Sequence, residues 1–502
     1  MRFLLVALGL FGFVTTFSQQ RKQPSAAEIK LKLNKLNFLG SVLYVAAHPD
    51  DENTRAIAFL ANDRLAATAY LSMTRGDGGQ NLIGAEIRDQ LGLIRTQELL
   101  AARRIDGGQQ YFTRANDFGF SKNAKETFEI WNKEEILSDV VKVIRQFQPD
   151  VILTRFPPDE RAGHGHHTAS AILAQEAFDL SNDATKYPTQ VEDYGVWQAK
   201  RMYTNTGRWW NQTISETTPG ILAVNVGGYN TLLGKSYSEI AADSRTQHKS
   251  QGFGSPSRRG DAMEFFEFVK GTTSTKDFFE NVNTSWSRVK GSEKIQSLVN
   301  KVIAEYKYEN PSTSLPLLVQ IRKEISALTF SVWRDRKLKE VNQLIQDCAG
   351  LYVEAVAGTF WGTPGEATTV NFEVINRSSA DVLVAGIHSD ALLFDTTFSS
   401  VLKNNVPFIK KSTYLLTATS PYSSPYWLKE PHSIGLFVVN DPKMIGKPEN
   451  DPAVIFNVRF VINGEPITIP APLIYKWTDP VKGELMQPFE IVPPLFVTLS
   501  KP

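Results

Sequence analysis

The chain has 502 residues, about three times the length of a typical domain, which predicts two or three domains. Hydrophobic residues make up 42% and charged residues 21% of the sequence, which excludes a collagen-like or wholly disordered protein. The net charge of +1, without a basic block, argues against a dedicated nucleic-acid binder, so we expect no nucleic-acid partner. Because Cys348 is the only cysteine, any metal must be held by histidines and carboxylates.

The first eighteen residues have the pattern of a secretory signal peptide. Met1-Arg2 is a short positive segment, and residues 3–17 are apolar but too short to span a bilayer comfortably. Thr16 and Ser18 are small residues at the −3 and −1 positions, which predicts cleavage after residue 18. We therefore expect an exported, periplasmic or extracellular protein with no transmembrane segment after signal removal. The alternative is an uncleaved membrane anchor.

Short apolar runs alternate with helical periods through the first part of the chain. The predicted strands are 42–47, 66–73 and 151–156, and the predicted helices are 54–62, 85–104 and 135–148. A further strand at 221–226 and a further helix at 237–249 follow. This alternation is typical of βαβ units, so we expect an α/β fold with a mostly parallel sheet and helices on both faces.

The pattern changes twice in the second half. Residues 275–349 carry apolar side chains at helical spacing and are predicted to form a segment of two or three amphipathic helices. After Gly350 the period becomes two, and Asn463-Gly464 between apolar runs is a hairpin signal. Residues 350–490 are therefore predicted to form a β-sandwich domain.

A cluster of metal-binding side chains follows the first predicted strand. His48, Asp50 and Asp51 lie in the segment Ala-His-Pro-Asp-Asp-Glu, at the carboxyl end of strand 42–47. Ligands bind at such strand ends in open α/β sheets. His48 and Asp51 can hold one metal ion across a turn, with Asp50 facing a water on that ion. The alternative is a helix N-cap formed by one of the two aspartates.

A second cluster, His164-Gly165-His166-His167, follows strand 151–156 and opens a predicted helix at 168–180. Two histidines and one carboxylate form a catalytic zinc set with an open position for water or substrate. A nearby carboxylate can then deprotonate the water, and a remaining histidine can stabilise an oxyanion or protonate a leaving amine. Together the two clusters predict metal-assisted hydrolysis. The alternative for the histidine triplet is a surface patch.

Five segments resemble the PIG-L / LmbE-like deacetylase family over about residues 37–251. The family's motifs are matched by Ala-His-Pro-Asp-Asp-Glu at 47–52, Thr-Arg-Gly-Asp at 74–77, Arg-x-x-Glu-Leu at 95–99, His-x-x-His at 164–167 and His-Lys-Ser-Gln at 248–251. The resemblance implies a Rossmann-like deacetylase domain over residues 37–270. It also implies zinc-dependent hydrolysis of an N-acetyl group, typically on an N-acetylglucosamine derivative, with Fe²⁺ as another divalent metal the site could take.

The resemblance also implies roles for the clustered residues. His48, Asp51 and His167 match the zinc ligands, Asp50 matches the general base, and His164 matches the oxyanion stabiliser or acid. One departure is that His166 stands where the family often has aspartate before the last histidine. This leaves open whether His166 ligates the metal in place of His167.

Other residues are weaker candidates for substrate binding. Arg75 and Asp77 lie in a Gly-rich loop at a strand end, where either substrate contact or a surface salt bridge is expected. Arg95 is predicted to face the pocket or the solvent, and His248 to contact substrate or to be a structural histidine. Trp209-Trp210 is either a sugar platform or part of a packed interface.

The leading hypothesis is therefore an exported zinc-dependent N-deacetylase whose partner is an amino-sugar conjugate. A related amide hydrolase with a different acyl or amine specificity is the second hypothesis, because specificity lies in loops such as 115–122 and 206–220. A non-catalytic glycan-binding protein on the same fold is the third, and the intact set of His and Asp residues argues against it. The sequence leaves the oligomeric state unknown.

Overall fold

The computed structural model describes residues 23–497 of the chain. In that part, helices and strands alternate up to residue 271, three helices follow, and a strand-rich region completes the fold. The predicted signal peptide, residues 1–18, lies outside the described residues and stays a prediction. Among residues 23–497, no helix combines the length and the hydropathy needed to cross a membrane.

The described residues contain eleven α-helices and nineteen strands. The helices are α1 (Ala26–Lys35), α2 (Thr54–Asn62), α3 (Asp89–Asp106), α4 (Ala124–Trp131), α5 (Lys133–Phe147), α6 (Gly165–Leu180), α7 (Pro188–Tyr194), α8 (Tyr237–Arg245), α9 (Glu293–Glu305), α10 (Leu315–Ala327) and α11 (Val332–Cys348). The strands of the first part are β1 (Ser41–Ala46), β2 (Ala67–Ser72), β3 (Gln109–Phe112), β4 (Val151–Thr154), β5 (Arg201–Thr206), β6 (Ile221–Asn225), β7 (Tyr229–Asn230), β8 (Lys235–Ser236) and β9 (Met263–Gly271). The later strands are β10 (Leu351–Ala357), β11 (Trp361–Gly362), β12 (Ala367–Asn376), β13 (Val382–Ser389), β14 (Phe394–Val401), β15 (Phe408–Leu415), β16 (Ile455–Ile462), β17 (Glu465–Asp479), β18 (Gly483–Pro488) and β19 (Glu490–Ile491).

Local capping explains where the predicted helices begin. Helix α2 has its predicted bounds, because the Asn53 side chain caps its first turn by accepting from the backbone N–H groups of Arg55 and Ala56. Helix α3 begins four residues later than predicted, since Arg88 has a φ of 53° and interrupts the helix there. Helix α6 begins three residues earlier than predicted, because the His164 side chain caps it.

The first sheet has seven strands in the order β3-β2-β1-β4-β5-β9-β6. The five strands from β3 to β5 are mutually parallel, which confirms the βαβ prediction. Strand β9 is antiparallel to both of its neighbours, so the sheet is mixed. The sequence analysis missed β3, β5 and β9. Strand β5 was missed because its residues are mostly polar, although all six are buried.

The side chains of β1 alternate between two hydrophobic cores. Leu43 and Val45 pack in a core that includes residues of α1, α5 and α6. Tyr44 and Ala46 pack in a second core that includes residues of α2, α3 and α8. Since successive side chains of a strand point to opposite faces, helices cover both faces of the sheet.

The predicted helical segment is confirmed as α9, α10 and α11. The β-rich character of residues after 350 is also confirmed, whereas the two-sheet sandwich is not. The main strands form one connected sheet in the order β14-β13-β16-β17-β10-β12-β15, with β18 beside β17. The fifteen-residue strand β17 makes this possible, because its first half pairs with β16 and its second half with β10 and β18. Phe372 of β12 contacts Phe456 of β16 with ring centroids 4.8 Å apart, so the two halves share one core.

Between β15 and β16, residues 416–454 leave this sheet and pack on the first part of the chain. The backbone of Asn116 donates to the carbonyl of Gly435 at 3.0 Å, and Phe437 donates to the carbonyl of Arg114 at 2.8 Å. We call residues 416–454 the docking segment. The strand-rich region is therefore tied directly to the loop that follows β3. The division into domains at 37–270, 275–349 and 350–490 stays a proposal.

Candidate metal centre

The two histidine clusters meet at one edge of the first sheet. Strands β1 and β4 are adjacent and parallel, so the loops that follow them leave the sheet at the same edge. The first loop carries His48 and Asp51, and the second loop leads into α6 with His164 at its N-cap and His167 in its first turn. The sheet topology therefore places residues 48 and 167 side by side, although about 120 residues separate them in sequence.

His48, Asp51 and His167 converge on one point. His48 Nδ1 lies 3.1 Å from Asp51 Oδ2, and His167 Nε2 lies 3.6 Å from Asp51 Oδ1. One ligand atom from each residue lies within 4.8 Å of the others, so a single ion could touch all three. Burial would raise the pKa of Asp51, but His167 and His48 beside it hold that pKa well below its usual range. Two imidazole nitrogens and an ionised carboxylate fit a divalent metal such as zinc.

The protein fixes the second ring nitrogen of each of these histidines. His167 Nδ1 lies 3.0 Å from the carbonyl of Ala162, and its ring stacks on Phe156 with centroids 3.8 Å apart. His48 Nε2 lies 3.0 Å from His166 Nδ1. Partners of this kind set the tautomer and the orientation of a metal ligand. His167 is thus oriented to use Nε2 and His48 to use Nδ1.

His166 is fully buried between the rings of Phe118 and Trp131. The centroid of its ring lies 4.4 Å from the Phe118 centroid and 4.5 Å from the Trp131 centroid. Burial lowers the pKa of His166 far below its usual range, so its imidazole is neutral. A second group of potential ligands exists, because His48, His164 and His166 also have ligand atoms within 4.8 Å of one another. The two groups share His48, so the choice between His166 and His167 that the sequence left open is a question for experiment.

Asp50 lies beside this group under unusual backbone and charge constraints. Its φ of 100° is in the left-handed region, and its Oδ2 accepts from Arg95 Nη2 at 2.7 Å. Burial raises the pKa of Asp50 to about 6, although the Arg95 guanidinium opposes this rise. A carboxylate with such a pKa is ionised at neutral pH and can accept a proton from water.

Arg95, predicted to face either the pocket or the solvent, lies beside the centre with its guanidinium directed at Asp50, and its assignment to substrate binding stays a prediction. Its side chain is 3% exposed, and the guanidinium also donates to the carbonyl oxygens of Pro49 at 2.5 Å and Gly76 at 3.1 Å. Because all three acceptors belong to the loops around the centre, Arg95 holds the Asp50 carboxylate and the backbone beside it in place.

His164 can donate a hydrogen bond into the same space. Its Nδ1 accepts from the backbone N–H of His166 at 2.9 Å, which leaves the proton on Nε2. Burial, together with the rings of His48 and His167, lowers the pKa of His164 to about 4. The ring is therefore neutral at ordinary pH, and its Nε2–H suits oxyanion stabilisation better than proton donation as a charged acid.

His248, predicted either to contact substrate or to be a structural histidine, lies in a buried hydrogen-bond network, and a role in substrate binding stays a prediction. It is fully buried, and its Nε2 lies 2.9 Å from Glu52 Oε1. Arg103 donates to the same carboxylate at 3.1 Å. Burial would raise the pKa of Glu52, but His248 and Arg103 lower it to about 2. Glu52 Oε2 accepts from the backbone N–H of Asp50 at 2.9 Å, so this buried network anchors the loop that carries the candidate ligands.

Arg75 lies beneath the docking segment and Asp77 is buried nearby, and their assignment to substrate binding stays a prediction. Arg75 is 1% exposed, and its guanidinium lies 3.4 Å from the ring centroid of Trp427. It donates to the hydroxyl of Tyr426 at 3.0 Å and to the carbonyl of Pro448 at 2.8 Å. Asp77 is 2% exposed, and its carboxylate oxygens have no hydrogen-bond partner among the described residues. Burial and the nearby Asp117 raise the pKa of Asp77 to about 7.

Replacing Arg75 with Ala is expected to lower the free energy of unfolding by about 3 kcal/mol, because buried carbonyl and hydroxyl acceptors of the docking segment lose their charged donor. Arg75→Lys is expected to restore only part of this loss, since an ammonium cannot match the planar fork or stack on Trp427. Urea unfolding measures the free energy of unfolding of both variants. Arg104→Ala, at an exposed position of helix α3, is the control and should cost less than about 0.5 kcal/mol. A loss for Arg75→Ala no larger than that of the control would contradict the docking role.

The sequence analysis missed Asp117 as a member of the centre. Its Oδ2 lies 3.8 Å from His48 Nε2, and its Oδ1 lies 3.7 Å from His166 Nδ1. Asp117 lies in the loop after β3, a strand that the sequence analysis did not predict. Had β3 been recognised as a parallel strand, the position of Asp117 beyond its carboxyl end would have been the signal.

Comparison with known proteins places this centre in a family. Residues 43–178 match the family model described as PIG-L: GlcNAc-PI de-N-acetylase. The span includes the candidate ligands of both loops. Residues 43–178 therefore form a PIG-L family domain, which confirms the resemblance seen in the sequence.

Individual relatives are similar over the same part of the chain. A 1D-myo-inositol 2-acetamido-2-deoxy-alpha-D-glucopyranoside deacetylase from Catenulispora acidiphila is 29% identical over 206 residues, which cover 37% of this chain and 60% of that protein. A mycothiol S-conjugate amidase from Streptomyces coelicolor is 28% identical over 182 residues, which cover 33% of this chain and 60% of that protein. The chain thus spans about three fifths of the length of these relatives. A solved N,N'-diacetylchitobiose deacetylase from Pyrococcus horikoshii matches with a TM-score of 0.32 and 21% identity, over 42% of this chain and 70% of that one.

Proposed function

We propose that the protein is a metal-dependent hydrolase that removes an N-acetyl group from an N-acetylglucosamine-type conjugate. The observation that carries the proposal is the convergence of His48, Asp51 and His167, with Asp50 alongside, inside a PIG-L family domain. The names of the relatives add support, because one describes deacetylation of a 2-acetamido-2-deoxy-glucopyranoside and the other an amidase.

His48, Asp51 and His167 would hold the metal, which we propose is zinc, with another divalent ion such as Fe²⁺ as an alternative. When bound, such an ion polarises the amide carbonyl and lowers the pKa of water. The Asp50 carboxylate accepts the proton of the attacking water, and Arg95 keeps that carboxylate oriented. The Nε2–H of His164 donates to the oxyanion that forms on the former carbonyl oxygen. The C–N bond then breaks, the amine nitrogen takes the proton from Asp50, and acetic acid leaves and ionises to acetate.

The test is acetate release by the purified, zinc-loaded protein. We expect release from N-acetylglucosamine or N,N'-diacetylchitobiose, and loss of release after chelation and its recovery on adding zinc. A second substrate, in which a longer acyl group replaces the acetyl group, distinguishes deacetylation from the more general amide hydrolysis that a relative's name suggests. Sugar binding without acetate release from any panel member would instead favour the glycan-binding hypothesis and contradict the proposal.

We also propose that the protein acts outside the cytoplasm. The support is the charged, apolar and small-residue pattern of residues 1–18. Intact-mass analysis of protein recovered from the periplasm or medium should give the mass of a chain that starts at Gln19. Exported protein that retains residues 1–18 would contradict signal removal.

A further inference from the structure

The docking segment pairs with the loop after β3 along the backbone. Ala115 and Leu436 form an isolated antiparallel bridge. The hydrogen bond from the backbone N–H of Asn116 to the carbonyl of Gly435, at 3.0 Å, lies directly beside this bridge. The two segments are therefore in register, as in a short two-stranded ribbon. The docking segment thus fixes one edge of a loop that also reaches the metal centre.

A histidine side chain adds a second attachment at this contact. His432 Nδ1 lies 3.1 Å from the side-chain amide of Asn116 and 2.8 Å from the carbonyl of Ser433. Its Nε2 lies 3.1 Å from Asp89 Oδ1, and Asp89 is the first residue of α3. The Asn116 side of this contact is buried. One imidazole therefore connects the docking segment to the loop after β3 and to the N-terminus of α3.

The residues that follow Asn116 in this loop face the metal centre. Asp117 Oδ2 lies 3.8 Å from His48 Nε2, and the Phe118 ring packs on the ring of His166. His166 in turn contacts the same nitrogen of His48. A single peptide bond separates residue 116, which the docking segment holds, from residue 117. A shift of the docking segment would therefore move the Asp117 carboxylate relative to His48.

Gly435 occupies a position in which a larger residue does not fit. A Cβ at this position would overlap the carbonyl of Ile130 and lie 2.7 Å from its Cγ2. The φ of Gly435 is outside the left-handed region, so the close fit and not the backbone conformation requires glycine. Ile130 lies in the last turn of α4, beside Trp131, whose ring packs on His166. The docking segment is therefore in close contact with both elements that surround His166.

We infer that the docking segment is a positioning element of the metal centre, in which His432 and Gly435 hold the loop after β3 so that Asp117 stays beside His48. This role rests on the metal centre of the proposed function and not on the identity of the substrate. Groups beside the second nitrogen of a metal-bound imidazole orient the ring and raise its basicity, and their loss typically weakens metal binding about 10–100-fold. The family match ends at residue 178, so this contribution comes from a part of the chain outside the matched domain.

Gly435→Ala, made in the full chain, tests the role directly. The added methyl overlaps the Ile130 carbonyl, so the docking segment must shift away from α4 and from the loop after β3. The zinc Kd from chelator competition is expected to rise about tenfold, the lower end of the range above, because the segment acts through Asp117 and does not touch a ligand. Gly358→Ala is the matched control, since a Cβ there would lie 4.0 Å from its nearest neighbour. An unchanged zinc Kd in folded Gly435→Ala protein would overturn the inference.

Variants of His432 give a milder test that does not depend on a steric overlap. His432→Ala is expected to raise the zinc Kd about threefold. His432→Asn should recover the affinity, because its amide occupies the position of Nδ1 beside Asn116, whereas His432→Gln reaches only Asp89 and should recover less. In an Asp117→Ala background, adding His432→Ala should change the Kd less than about twofold, since the carboxylate that it positions is absent. Additive effects, or no recovery in His432→Asn, would overturn the inference.

Chelator competition needs no substrate, so its result is separate from that of the acetate assay. If the wild type releases no acetate but the zinc Kd responds as expected, the proposed reaction fails and the positioning role is supported. If acetate is released and the zinc Kd of every variant equals that of the wild type, the positioning role fails and the proposed reaction stands. A wild-type protein that binds no zinc would overturn both.

Discussion

Replacing Asp50 with Asn is expected to lower the turnover number about 10²–10⁴-fold while the metal content stays unchanged. Asn has nearly the shape of Asp but cannot accept a proton from water. The φ of 100° at this position does not prevent the test, since Asn tolerates the left-handed region as well as Asp does. Asp50 is also not among the three residues that converge as ligands, so its loss should not release the ion.

The measurement pairs acetate-release kinetics with metal analysis by mass spectrometry on the same sample. Asp451→Asn is the matched control, because Asp451 is 73% exposed and pairs with Lys447 at the surface. That variant should keep wild-type turnover. Turnover of Asp50→Asn within about tenfold of wild type, with its metal retained, would refute Asp50 as the base and leave the metal centre standing.

Replacing His167 with Ala is expected to remove most of the bound metal. The protein orients this ring through Ala162 and Phe156 so that Nε2 faces Asp51. His166→Ala should retain metal at saturating zinc, but with an affinity about 10–100-fold lower, because His48 loses the group that orients its ring. His166→Asn should recover part of that affinity, since its side-chain oxygen can accept at the position of Nδ1.

Metal retained after dialysis and the Kd from chelator competition distinguish these outcomes. His388→Ala is the control for loss of a histidine, because His388 lies in β13 and pairs with the exposed Asp390. It should leave metal binding unchanged. If His166→Ala loses the ion while His167→Ala retains it, the third ligand is His166, and the group of His48, His164 and His166 is the metal site.

The elements that the sequence predicted best are those whose pattern is local. Strand β1 is a continuous apolar run, and α2 begins directly after its cap Asn53, two residues beyond Asp51. The predicted strands 42–47 and 151–156 were enough to place His48 and His167 beyond the carboxyl ends of parallel strands. Because such ends share one edge of the sheet, the convergence of the two clusters could be predicted without any side-chain coordinates.

Elements whose stability depends on distant partners were not predictable in this way. Strand β5 is polar in sequence and still lies in the middle of the sheet, since Thr204 bonds to Thr154 and Asn205 to Tyr44 across strands. The connected sheet of the C-terminal region likewise depends on β17 pairing with different strands along its length. The periodicity of a single segment contains no information about pairing with strands that are distant in sequence.

The sequence by itself determined which residues could carry the chemistry, namely the histidines and carboxylates at two strand ends. Only the tertiary structure decided which polar residues around them are accessible. Arg75, Arg95 and His248 occur in family-like motifs, but each is buried with its hydrogen bonds given to other parts of the protein. Trp209, by contrast, remains exposed in the loop after β5. The physical reason is that burial depends on what packs against a residue, and here the docking segment, α3 and the loop after β5 come from parts of the chain far apart in sequence.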